Sequence, residues 1–90
     1  MIQYEITVTG RVQGVWFRRY TQEKATQLGI KGWVKNTPDG NVLAIAQAEK
    51  KDLETFIDYL KIGPPMARVD KIFTAEMNVS GDFDNFSIKY

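Results

Sequence analysis

Across its first thirty residues the chain changes hydrophobic period once, and the change falls on a loop containing glycine. Ile2, Tyr4, Ile6 and Val8 alternate with Gln3, Glu5, Thr7 and Thr9, the period of two that marks a strand with one buried face. The segment GRVQGV follows from Gly10 to Val15. Beyond it Phe17, Tyr20, Thr21, Ala25 and Leu28 recur at helical spacing as far as Gly29, a residue suited to a left-handed C-terminal cap. The chain therefore opens as strand, glycine loop and helix.

The remaining elements follow from the same patterns. Residues 30–36, IKGWVKN, read as a second strand, and TPDG from Thr37 to Gly40 has proline at its second position and glycine at its fourth, as a tight turn requires. A third strand returns through residues 41–48. Leu53, Phe56, Ile57 and Leu60 mark one helical face, which Gly63, Pro64 and Pro65 bring to an end. Residues 68–77 suit a fourth strand, and Phe86, Ile88 and Tyr90 alternate as a short last one. The order βαββαβ, with short connections and right-handed crossovers, predicts an α+β, ferredoxin-like sandwich: an antiparallel sheet with two helices on one face and a short extra C-terminal strand. In that topology the first and second strands are parallel, with the third between them. Their C-terminal ends share one edge, so the glycine loop and Asn36 are expected to face the same space.

Ninety residues is one domain's worth of chain, and residues 1–90 are expected to form a single unit. With 43% hydrophobic and 26% charged residues, and a formal net charge of +1, no overall field draws it to nucleic acid or anionic lipid. The segment MIQYEITV contains Glu5 within an alternating pattern, unlike a signal peptide. Absence of cysteine excludes thiolate chemistry and is compatible with the cytoplasm. Histidine is absent as well, which removes Ser-His and Cys-His pairs, imidazole ligands and any side chain that ordinarily titrates near neutrality. Any reaction catalysed here must make modest demands on proton transfer.

The glycine loop is the chemically suggestive segment. A strand running through such a loop into a helix N-terminus presents unpaired amides, and the helix dipole adds partial positive charge. With Gly14 at positive φ, the amides of Gln13, Gly14, Val15, Trp16 and Phe17 can form a nest for phosphate oxygens, to which Arg18 adds a planar fork of charged donors. On spacing alone the same residues also fit an ordinary turn with Arg18 and Arg19 solvated, and Asn36 fits an asparagine bonding nearby backbone. The loop matches neither GxGxxG nor GxxxxGK[ST]. Asp82 and Asp84, in GDFDNF, read as turn residues rather than metal ligands.

Two long segments carry a resemblance. GRVQGVWFR, from Gly10 to Arg18, and GWVKNTPDG, from Gly32 to Gly40, resemble the two signatures of the acylphosphatase family, and the similarity continues through GPPMARVDKI (Gly63 to Ile72) and FSIKY (Phe86 to Tyr90). The resemblance implies hydrolysis of small acyl phosphates without metal or cofactor, with Arg18 and Asn36 as the catalytic residues. It further implies that Arg18 and the loop amides hold the phosphoryl group and that Asn36 orients water. Trp16 falls on a variable position of the family and bears only on substrate preference. A carboxylate leaves without much help from a general acid, so the chemistry suits a chain lacking histidine and cysteine. Inorganic phosphate or sulfate is the expected product-like ligand, and nothing calls for more than a monomer. An RNA-binding sheet is the competing reading, but the polar face of the first strand and VLAIAQA of the third offer no aromatic or basic platform. Phosphate or partner binding without catalysis is the other.

Overall fold

The computed structural model describes residues 1–90 as β1 (Ile2–Arg11), α1 (Phe17–Gln27), β2 (Lys31–Asn36), β3 (Val42–Ala48), α2 (Lys50–Ile62), β4 (Arg68–Met77) and β5 (Phe86–Lys89). The five strands form one sheet in the order β4-β1-β3-β2-β5. In β1 the even-numbered residues Ile6 and Val8 are buried, and they sit opposite Ala44 and Val42 of β3. Both helices pack on that face. Phe17, Thr21 and Ala25 form the buried stripe of α1, and Leu53, Phe56 and Leu60 that of α2. Ala44 and Ala46 keep the centre of the sheet shallow enough for bulky helix side chains to reach it. Each fully buried Leu or Phe stabilises the fold by about 1.5–3 kcal/mol, and Phe56 also meets Phe86 edge to face at 5.9 Å. The Thr21 hydroxyl is buried within α1 and donates to the Phe17 carbonyl at 2.8 Å, so it costs little. No helix is long and apolar enough to cross a membrane.

β1 and β2 each pair antiparallel with β3, so they run parallel to each other and end at the same edge. This is the expected ferredoxin-like arrangement. The last strand departs from a wholly antiparallel sheet, because β5 pairs parallel with β2, Gly32 opposite Phe86 and Val34 opposite Ile88. The cause lies in the preceding loop. β4 finishes with Met77 opposite Gln3, at the end of the sheet where β2 begins, and residues 78–85 must cross that end to reach the free edge. Gln3 and Gln47 hold the crossing. Gln47 donates to the Gln3 side-chain oxygen at 2.7 Å and to the Ser80 and Gly81 carbonyls at 3.3 and 3.2 Å, and the Ser80 amide donates to Gln3 at 3.1 Å. Started from that end, β5 can only run alongside β2 in the same direction. It delivers Lys89 and Tyr90 to the edge where β1 and β2 finish.

A bulge redirects the end of β1. Its register with β4 shifts between Thr9 and Gly10, and Gly10 has φ 124°. A Cβ there would lie 2.2 Å from the Arg68 carbonyl oxygen, so only glycine lets the two strands approach this closely while β1 bends toward the loop.

Candidate active site

Residues 12–16 join β1 to α1. Val12 and Val15 are buried and pin the loop to the core, which leaves the intervening backbone at the surface. Gly14 has φ 72°, and a Cβ at this position would meet nothing within 4 Å, so its requirement for glycine is conformational rather than steric. Trp16 has φ 65° and is the only non-glycine residue at positive φ. Left-handed residues at 14 and 16 thus flank Val15, and the amides of residues 13–17 donate to no backbone carbonyl.

The N-terminus of α1 is electrostatically unbalanced. Its N-cap, Trp16, makes no side-chain capping bond, and the first turn holds no acidic residue. It holds Arg18 and Arg19 instead, whose charges add to the positive end of the dipole rather than offsetting it. A bound anion would answer both the unpaired amides and the charge. The two arginines differ in their surroundings. Arg19 donates to Glu23 at 3.1 Å along the helix, whereas Arg18 has no carboxylate partner and rests 4.7 Å from the Tyr90 ring centroid, with a long 3.5 Å bond to the Lys89 carbonyl.

The backbone at Trp16 carries strain that no packing recovers, since the side chain is 74% exposed. A left-handed L-residue costs roughly 1–2 kcal/mol, and glycine in its place loses roughly 0.4–1 kcal/mol through a freer unfolded chain. Trp16→Gly is therefore expected to stabilise the fold by about 0.5–1 kcal/mol, or roughly 2–8 °C in Tm. Thermal unfolding followed by circular dichroism checks this; an unchanged or lower Tm would mean that the indole contributes packing the structure does not reveal.

Asn36 is the last residue of β2, opposite Val42. It is half-buried, and its Oδ1 is buried without a hydrogen-bond partner, an arrangement that costs free energy unless a donor is supplied from outside the chain. The turn beyond it is closely held. The Thr37 amide donates to the Asn41 carbonyl at 2.9 Å and the Gly40 amide to the Thr37 carbonyl at 3.1 Å. The Thr37 hydroxyl donates to the Asp39 carboxylate, and Asn41 Nδ2 donates to the same group at 3.2 Å. The Thr37 bond, foremost, holds the Asp39 carboxyl below its ordinary value; desolvation, next in size, opposes it, and the Asn41 and Asp39 amides and the Asn41 side chain add to the lowering. The folded value is depressed, so this contribution to the turn is fully present above the ordinary carboxylate range and is lost as pH falls through the lowered one.

The loop and β2 meet in a cleft of about 550 Å³. Of the residues singled out in the sequence, Gly14, Trp16, Phe17, Arg18 and Asn36 line it. Gln13 and Val15 do not, for Val15 points into the core and the Gln13 side chain reaches across to the β2–β3 turn. Phe17 is itself buried, and Trp33 packs under Lys35 and Lys89 rather than at the cleft. Val12 and Arg19 line it as well, and the structure adds Gln22, Ile88 and Tyr90. Gln22 stands one helical turn beyond Arg18, a spacing that places it on the same face. Ile88 and Tyr90 carry no comparable signal, because they arrive through the parallel pairing of β5.

Arg18, without a carboxylate partner, and Asn36 thus line one cleft beside a loop of unpaired amides. The model of the acylphosphatase family matches residues 4–88. An acylphosphatase of Archaeoglobus fulgidus is 42% identical over 90 residues, the whole of both chains, and one from Geotalea uraniireducens is 43% identical over 89 residues, 99% of this chain and 98% of its own. The crystal structure of the Bacillus subtilis acylphosphatase superposes with a TM-score of 0.96 at 40% identity, covering all of both chains. Sequence and fold thus agree over essentially the full length, and the chain belongs to the acylphosphatase family.

Proposed function

We propose that this protein hydrolyses the carboxyl–phosphate bond of small acyl phosphates to a carboxylate and inorganic phosphate, without a metal ion, acting as a monomer in the cytoplasm. Family membership supports the reaction. The observation that carries the mechanism is the meeting, in one cleft, of Arg18 and Asn36 beside a loop whose amides donate to no backbone carbonyl. The amides of Gln13, Gly14, Val15, Trp16 and Phe17 and the Arg18 guanidinium hold the phosphoryl oxygens. The carboxamide of Asn36, a residue of the cleft lining, hydrogen-bonds water and aims its oxygen at phosphorus. As the new P–O bond forms in line, the bond from phosphorus to the acyl oxygen breaks and its electron pair leaves with the carboxylate, while the water proton passes to a phosphoryl oxygen. A carboxamide is no base, and none is required: catalysis comes from positioning and from fixed donors matched to the charge of the transition state.

The test is release of inorganic phosphate from acetyl phosphate in excess chelator. Undiminished turnover is expected, with competitive inhibition by phosphate or sulfate, because an amide nest accepts any tetrahedral anion of that size. Alkyl phosphate monoesters should be far poorer substrates, since an alkoxide leaves poorly without a proton and the cleft lining holds no carboxylic acid or imidazole to supply one. Activity lost to chelator and restored by magnesium would overturn the metal-free mechanism. Phosphate binding without turnover of acetyl phosphate would identify a binding module instead.

A further inference from the structure

Gln13 occupies a distinctive position between the two halves of the cleft. Its side-chain Nε2 donates to the Thr37 carbonyl and to the Asn41 carbonyl, both at 2.8 Å. Both protons of one amide group are used on two acceptors, which also fixes the orientation of the carboxamide, since its oxygen in that place would face two carbonyls. Thr37 and Asn41 close the β2–β3 turn on each other through the Thr37 amide. They directly adjoin Asn36 and its cross-strand partner Val42, so Gln13 grips both strands one residue from Asn36. No other side-chain hydrogen bond joins residues 12–16 to this hairpin. β1 and β2 are not paired with each other, because β3 lies between them. The distance from the amide nest to Asn36 would otherwise be relayed through two strand pairings and a turn.

We propose that Gln13 is a positioning residue that sets the water-orienting carboxamide of Asn36 against the phosphoryl group, its own side chain touching neither substrate nor water. The inference rests on the role of Asn36 given above. Phosphate affinity belongs to the loop backbone and Arg18, whose conformation is held by Val12, Val15 and the left-handed residues 14 and 16. Loss of the Gln13 bonds leaves those supports in place and frees the end of the hairpin, so water and phosphorus fall out of line. Small misplacements of reacting groups cost much in rate and little in ground-state affinity.

The experiment measures kcat with acetyl phosphate and the inhibition constant of inorganic phosphate for the wild type, Gln13→Met, Asn36→Ala and the double variant. Methionine keeps the length of the side chain without its donors. Gln13→Met is expected to lower kcat roughly tenfold to a hundredfold with the phosphate constant within about twofold, and to cost almost nothing further in the Asn36→Ala background, because the two act as one unit. Should Gln13→Met fail to fold, Gln13→Asn, which keeps the donors on a side chain too short to reach both carbonyls, is measured in the same way with the same expectations. An unchanged kcat, a phosphate affinity that falls as far as kcat, or an equal loss in both backgrounds would overturn the inference. An Asn36→Ala enzyme of near wild-type kcat would sink the water role of Asn36 and this inference with it, whereas an impaired Asn36→Ala enzyme with additive effects sinks this inference alone.

Discussion

Asn36→Ala is expected to reduce kcat by roughly 10²- to 10³-fold while inorganic phosphate still inhibits at nearly its wild-type concentration. The nest and the guanidinium remain intact in this variant, so the anion keeps its donors and only the acceptor that aims water is lost. Stability should not explain the result. Oδ1 of Asn36 is buried without a partner, a state that costs about 1–3 kcal/mol, and its removal should leave Tm unchanged or raise it. A functional group that weakens the fold and strengthens the reaction is the usual sign of a site kept for its chemistry. The measurement pairs kcat and the phosphate inhibition constant with a thermal melt. If phosphate affinity collapses together with kcat while the melt is unaltered, Asn36 is a phosphate ligand and the assignment of water to it is wrong.

Much of this architecture was legible because each element carries its own period. Ile2 to Val8 and Phe17 to Leu28 announce a strand and a helix without reference to the rest of the chain, and the meeting of the glycine loop with Asn36 follows from the topology that those elements imply. The features that escaped reading depend on distant partners. Gln3 alternates with apolar residues and looks solvent-facing, yet it is 1% exposed, since the β4–β5 loop folds over it and takes its hydrogen bonds. The same crossing sets β5 parallel to β2 and brings Tyr90 beside Arg18. A glutamine in a loop has no pattern that reports its partners, so Gln13 could be read only as a backbone amide. Local chemistry suggested that Gly14 could adopt positive φ, but nothing in a tryptophan suggests that it does so too. Arg18 and Arg19 are indistinguishable as neighbours in sequence; Glu23, one turn away, separates them by occupying Arg19.

That separation bears on Arg18→Ala, in which phosphate affinity and kcat are both expected to fall, the latter by roughly 10²- to 10³-fold or more. In the proposed mechanism Arg18 meets the phosphoryl group in the ground state and in the transition state, so its removal should appear in both quantities, in contrast to Asn36. Arg19 also lines the cleft, but its guanidinium is engaged with Glu23, so it is expected to compensate poorly. Folding should be little altered. A cation in the first turn of α1 opposes the dipole by about 0.3–1 kcal/mol, and the stacking of Arg18 on exposed Tyr90 contributes about 0.5–1 kcal/mol in the other direction, so the two nearly cancel. Lysine is the sharper probe. It retains the charge at the helix N-terminus but presents a single ammonium where the guanidinium offers a planar fork able to meet two phosphoryl oxygens. If charge alone holds the phosphate, Arg18→Lys recovers most of the lost affinity and turnover. If the fork matters, as the mechanism requires, Arg18→Lys recovers part of the phosphate affinity through its charge and little of kcat, because the geometry matched to in-line transfer is missing. A lysine enzyme within a few-fold of wild-type kcat would show that position 18 supplies a charge and not a geometry.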